Sequence, residues 1–224
     1  MSTGLPELAP FLTTCEYESL MDESLPFDAI ALYFRVFCVL DSGKDKPLLV
    51  SHRVMAASNG IYSNNRLIPM RDARVRTTIK HLERVGLLAK ATPESGLKFK
   101  RVYIRSLAGW LCSLTPFEIK KLTDINLSYE AVTLYVRSIR PHLSIYSFTA
   151  MVYIDVLELA LTFNPLNSSP EHSVNGRVLL KATIQELINS GLIECEIDDL
   201  YYVFTCHVSK GFDSYWLKSL SKNS

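Results

Sequence analysis

Between Arg71 and Ile104 the pattern of apolar and polar positions changes period twice. Val75, Ile79, Leu82 and Val85 recur at intervals of three and four residues, the spacing of one helix face. Ala73, Thr77, Lys80 and Arg84 fall on the opposite side, with Arg74 and Arg76 on its flanks. Gly86 supplies the left-handed residue that ends such a helix, and Leu87 and Leu88 open an extended segment. After the polar insert Thr92–Gly96, Val102 and Ile104 alternate with Arg101, Tyr103 and Arg105, the two-residue period of a strand. The pattern predicts a helix followed by a two-stranded hairpin.

Upstream, residues 1–23 are mildly acidic and carry two prolines, which predicts a loosely ordered arm with one helical turn. Ser24 is placed to cap a helix over Leu25–Asp41, with Pro26 in its first turn, where a missing N–H costs nothing. That helix is apolar around most of its circumference and therefore belongs in the core. A polar turn (Ser42–Lys46), a short strand (Pro47–Val50) and a brief helix (His52–Ser58, capped by Ser51) follow. A loop through Asn64, Asn65 and Arg66 then leads into the basic helix.

The remainder of the chain repeats this plan. Leu25–Phe37 laid over Leu127–Ile139 matches Leu25 with Leu127, Ala29 with Ala131, Leu32 with Leu134, Tyr33 with Tyr135 and Arg35 with Arg137, an offset of 102. Thr78–Leu88 laid over Thr183–Ile193 aligns Thr-Ile, Leu and Gly-Leu at an offset of 105. Two separate matches at nearly one offset indicate an internal duplication. The organisation expected is an arm over 1–23, a first unit over 24–108, a linker helix within 109–126, a second unit over 127–210 and a tail over 211–224. Thr115-Pro116-Phe117-Glu118 has the capping-box spacing with proline at the first helical position. In the second unit the helices expected are Tyr129–Pro141, Thr149–Phe163 and Val174–Asn189, followed by a hairpin over Ile193–Val208.

Charge divides the two units. Between Arg53 and Arg105 twelve lysines and arginines stand against three acids, a local balance of +9 in a chain whose total is +1. A solvated surface is the plain alternative, but charge this localised reads as an electrostatic footprint. In the second unit the equivalents of Ala73, Thr77, Lys80 and Arg84 are Val178, Ala182, Gln185 and Asn189, which carry no charge. Its hairpin holds Glu194, Glu196, Asp198 and Asp199, which would repel phosphates. The apolar segment Thr149–Phe163 and the tyrosine-rich strand at Tyr201 and Tyr202 suit a protein interface, with ordinary core packing as the plain alternative for most of these residues.

Composition narrows the classes. With 224 residues and 48% hydrophobic content the chain can bury one large core or two modest ones. The N-terminus has no basic region followed by an apolar run, so no secretory signal is expected. The most apolar run, Tyr146–Phe163, is broken by Asp155 and Glu158, so no membrane span is expected. Five cysteines (Cys15, Cys38, Cys112, Cys195, Cys206) lack any C-x-x-C pair, which points to a reducing cytosol and not to disulfides or a metal site. There is no phosphate-cradling glycine loop, no G-x-S-x-G and no His-Glu-x-x-His. Neither an enzyme nor a cofactor is expected.

Helix, turn, strand, polar loop and basic strand form the second half of a winged helix, which presents its helix to the major groove and its hairpin to phosphates. The fold class expected is therefore mainly α with small β wings (α+β), as two tandem winged-helix domains from an internal duplication. This plan resembles the tandem winged-helix replication initiators of plasmids and other mobile elements. The LP-x-D-A-x-x-LY opening at Leu25–Tyr33 and the R-x-x-IKHLERVGLL segment at Arg76–Leu88 also resemble helix-turn-helix proteins of integrative elements and phages. The resemblance covers Leu25–Val208 and implies sequence-specific binding of double-stranded DNA at origin repeats. It further implies a homodimer through the second unit, contact with replication proteins of the host, and a cytoplasmic, nucleoid-associated location. Thr77, Lys80 and Arg84 would approach bases, while Arg53, Arg66, Arg71, Arg74, Arg76, Lys98, Lys100 and Arg101 would meet phosphates. The acidic second hairpin departs from the initiator pattern and puts DNA contact by that unit in doubt. Two further readings remain open: a transcriptional regulator of the same element, and an interaction scaffold like the tandem winged-helix subunits of bacterial condensin.

Overall fold

A computed structural model describes residues 12, 14–38, 50, 52–63, 66–90, 99–101, 114, 116–143, 149–162 and 176–206. The fold is mixed and mainly helical, with small β elements. At its centre lies α2 (Phe27–Leu32), which continues as a π-helical segment over Tyr33–Cys38. It packs against α6 (Tyr129–Leu134), which continues in the same way over Tyr135–Ile139 and closes with a 3-10 turn, Arg140–His142. Ala29, Ile30, Leu32, Tyr33, Phe34, Val36 and Phe37 have no exposed surface, as expected of a helix apolar on all sides.

Around α2 the chain runs α1 (Thr14–Leu20), α3 (His52–Ser58), the hairpin β1 (Ile61–Ser63) and β2 (Arg66–Ile68), α4 (Asp72–Arg84), and the hairpin β3 (Leu88–Lys90) and β4 (Phe99–Arg101). Around α6 it runs α5 (Pro116–Leu122), β5 (Thr149–Tyr153), α7 (Ile154–Thr162), α8 (Gly176–Ser190), β6 (Ile193–Ile197) and β7 (Tyr201–Cys206). The last three strands form one antiparallel sheet in the order β5-β7-β6.

Residues 102 apart make corresponding bonds. The Tyr33 hydroxyl donates to Glu16 Oε1, and the Tyr135 hydroxyl donates to Glu118 Oε1 at 2.7 Å. The Leu25 N–H donates to the Asp22 carbonyl at 2.9 Å, and that of Leu127 to Asp124 at 3.2 Å. Farther on, α4 and α8 stop in the same way. Gly86 (φ 77°) and Gly191 (φ 74°) take the left-handed conformation. The next residues, Leu87 and Leu192, donate back to the carbonyls of Leu82 and Leu187.

Four local expectations are corrected. Ser24 is not the cap of α2: Pro26 is the N-cap residue, and the Ser24 N–H donates to Asp22 Oδ1 at 2.8 Å. The proline ring already fixes the extended-to-helical entry, so the cap lies two residues later than a serine would place it. The segment expected as a loose arm contains α1, whose Tyr17 and Leu20 are buried. The loop expected around Asn64-Asn65 is flanked by β1 and β2, with Ile61 opposite Ile68 and Ser63 opposite Arg66. Thr149–Tyr153 is a strand, not the first turn of a helix, because Ala150 and Val152 alternate inward while Met151 and Tyr153 face out. The strand expected at Pro47–Val50 lies outside the described residues except for Val50, and so do Val102 and Ile104.

Candidate nucleic-acid interface

The apolar stripe of α4 docks it on α2 and α3. Val75, Thr78, Ile79 and Leu82 are buried, and Val85 is half-buried. That docking leaves Arg71, Ala73, Arg76, Thr77, Lys80 and Arg84 exposed. Among the described residues no ion pair engages Arg71, Arg76 or Lys80. Thr77 turns its hydroxyl back to the Ala73 carbonyl at 3.1 Å.

Two arginines of the expected set are already engaged by the fold. Arg74 Nε donates to Asp28 Oδ2, and its side chain is 40% exposed against 1% for Asp28. Thr78 Oγ1 lies 3.3 Å from the same oxygen. The cation offsets much of the cost of burying this carboxylate, although the hydroxyl makes its shorter bond to the Arg74 carbonyl, at 2.8 Å, and Asp28 Oδ1 has no hydrogen-bond partner among the described residues. Arg84 Nη2 donates to the Ser24 carbonyl at 3.2 Å and to Ser24 Oγ at 2.8 Å, tying the end of α4 to the turn before α2. It also approaches His81 Nδ1 at 3.1 Å. Desolvation, then the Arg84 charge, push the His81 pKa below its usual value, so near neutral pH the ring is neutral and its lone pair can accept this contact.

The other expected residues are dispersed. Arg53 is exposed on α3 and Arg66 is exposed on β2. Lys100 stands opposite Ala89, and Arg101 opposite Leu88, in the register of the β3–β4 hairpin. Lys98 lies outside the described residues. The equivalent face of α8 offers exposed Val178, Ala182, Gln185 and Asn189, with the Gln185 amide donating to Asn189 Oδ1 at 2.9 Å. At its flank Arg177 pairs with Glu158 at 3.2 Å, while Lys181 is exposed.

Sequence reasoning missed how the two halves are joined. Arg137, in the π-helical segment after α6, donates from Nε to the Leu20 carbonyl at 2.9 Å and from Nη2 to the carbonyls of Asp22 and Leu25, the latter at 3.0 Å. Arg35, in the equivalent segment after α2, donates from Nη2 to the Leu127 carbonyl. Its Nη1 donates to Asn59 Oδ1 at 3.3 Å, and its guanidinium lies 5.4 Å from the centre of the Tyr129 ring. Each half thus reaches with one arginine into the turn that precedes the central helix of the other. Burial lowers both arginines' pKa values, that of Arg137 to about 10, which leaves them charged at neutral pH. The signal available in sequence was the alignment of Arg35 with Arg137.

Among the described residues no cluster of His, Cys, Asp and Glu could hold a metal ion, and no helix is long and apolar enough to cross a membrane. Cys15, Cys38, Cys195 and Cys206 form no disulfide. No family model, curated protein or solved structure matches the chain.

Proposed function

We propose that this chain is a sequence-specific double-stranded DNA-binding protein built as two tandem winged-helix units, and most concretely a replication initiator that binds origin repeats of a mobile element. The observation that carries the reading is the outward face of α4, where Arg71, Arg76, Thr77 and Lys80 are all exposed. A basic helix of 13 residues, held by its apolar side and followed by a hairpin, has the shape and charge to enter a major groove. The order α6, β5, α7, α8, β6, β7, with a sheet in the order β5-β7-β6, supports a winged-helix plan for the second half. The corresponding bonds at a spacing of 102 residues support duplication.

In this reading Arg76 and Lys80 meet DNA directly, Thr77 lies between them, and Arg74 and Arg84 act mainly by fixing α4 to α2. The second half, with a neutral helix face and an acidic hairpin, serves protein contact. No catalytic step and no cofactor belong to this reading. A transcriptional regulator would need the same contacts, so the two roles separate only by whether a plasmid carrying the bound site replicates.

Selection of bound sequences from random duplexes is expected to return one motif, repeated at fixed spacing. On that duplex, Arg76→Ala with Lys80→Ala should weaken binding at least about tenfold and lower the slope of log affinity against log salt by about 1, for the phosphate contact of Arg76. Affinity and salt slope unchanged in the double variant would refute the assignment.

A further inference from the structure

We propose that copies of this chain associate head to tail, with the β1–β2 hairpin of one copy seated on the outer face of the β5-β7-β6 sheet of the next. Both surfaces are apolar, and their charges are opposite. On the hairpin, Ile61 and Ile68 are a cross-strand pair, 56% and 55% exposed. Arg66, two residues before Ile68, shares their face. Exposed Arg53 precedes the hairpin on α3, and exposed Arg71 follows it at the start of α4.

On the sheet, β5 lies at the edge, with Met151 and Tyr153 turned outward at 59% and 63% exposure. The register places Met151 beside Val203 and then Glu196, and Thr149 beside Thr205 and then Glu194. The sheet face therefore grades from apolar at β5 to acidic at β6. Asp198 and Asp199 extend the acidic side into the β6–β7 turn, where Leu200 is 69% exposed.

Three considerations identify the occupant. Exposed apolar residues on an edge strand are a standing invitation to another chain. DNA is a poor occupant of the sheet, since phosphates would meet acids there, and it would leave the apolar Ile61–Ile68 pair of the hairpin uncovered. A two-fold dimer centred on the acidic side of the sheet, or on the basic end of the hairpin, would bring surfaces of like charge together, and like-charge juxtaposition suppresses a contact. Hairpin against sheet instead brings Arg66 towards Glu194 and Glu196. Both surfaces are exposed on the same molecule, so they do not meet within one chain, and the pairing requires a second copy. Such a contact is heterologous and does not close on itself.

The inference does not rest on DNA binding and is tested without it. In light scattering, the full chain at rising concentration and low salt should show a mass climbing past the 25.3 kDa monomer towards two and more copies, and returning to it at high salt. The variant Arg53→Glu/Arg66→Glu and the variant Glu194→Lys/Glu196→Lys should each stay monomeric. An equimolar mixture of the two should associate again, because each then offers what the other has lost. Circular dichroism confirms that both variants are folded, and recovery in the mixture excludes misfolding as the cause. A wild-type chain monomeric throughout, variants that associate as wild type does, or a mixture that stays monomeric would each overturn the proposal.

Discussion

Replacing Arg74 with alanine separates what the basic helix does for the fold from what it does at its surface. The substitution removes the cation that faces Asp28, a carboxylate 1% exposed, and leaves it only the hydroxyl of Thr78 among the partners of that oxygen. Breaking a fully buried pair costs about 3 to 5 kcal/mol. Arg74 is itself 40% exposed, so solvent screens part of the interaction, and a loss of about 2 kcal/mol is expected. In a chain of 224 residues that is a fall in Tm of about 4 to 8 °C. Urea unfolding by intrinsic fluorescence measures it, as a shift in midpoint at unchanged slope. Asp28→Asn combined with Arg74→Ala should cost less than the sum of the two singles, since the buried charge is then gone. Corrected for the folded fraction, binding of Arg74→Ala to the selected duplex should fall far less than that of Arg76→Ala with Lys80→Ala. Stability within about 0.5 kcal/mol of wild type, with DNA binding abolished, would show that Arg74 is a DNA contact and that its pairing with Asp28 is incidental.

The reciprocal arginines give a second expectation. Arg137→Ala should cost roughly 3 kcal/mol, because it leaves the carbonyls of Leu20, Asp22 and Leu25 without a charged donor. Arg35→Ala should cost a similar amount, and Arg137→Lys should recover less than half, since an ammonium cannot span that fan. Costs below about 1 kcal/mol for both alanine variants would mean that the halves are held mainly by apolar packing and by the tyrosine bonds Tyr17 to Val136 and Tyr129 to Asn59. The third expectation concerns pH. The folded-state pKa of His81 is lowered from its usual 6.5, so its contribution to stability is present above that value and lost as pH falls through the folded pKa. Below it the ring would face Arg84 as a second cation. His81→Gln should therefore flatten the decline in Tm between about pH 7 and pH 5, and an unaltered profile would refute the assignment.

Periodicity alone was enough to define α4, because Val75, Ile79 and Leu82 repeat at the helical interval and Gly86 ends it without ambiguity. The short identities at nearly constant offset were legible for the same kind of reason, and residues 102 apart, Tyr33 and Tyr135 among them, make corresponding bonds. Strand β5 was not, because Thr149–Phe163 is one apolar run with no Gly or Pro to mark where extended backbone gives way to helix. The β1–β2 hairpin was missed because each strand is only three residues long. The engagement of Arg74 was hidden by a separation of 46 residues from Asp28. Arg35 and Arg137 were visible as a matched pair, but the contacts by which they cross between the halves include the backbone carbonyls of Leu127, Leu20, Asp22 and Leu25, which leave no trace in side-chain identity.

The exchange of arginines between the halves also sets an order of events for a chain emerging from the ribosome. When the first half has been made, Arg35 still lacks Leu127, and the turn over Asp22–Leu25 still lacks Arg137. A first half complete in sequence is therefore incomplete in bonding until the next several dozen residues follow it. During that interval the closest stand-in for the missing half is a first half on a neighbouring nascent chain, with its own arginine and its own open turn. Synthesis on crowded polysomes would then favour pairing of first halves between chains, and slower synthesis of the stretch that ends at Leu127 and Arg137 would lengthen the period of risk.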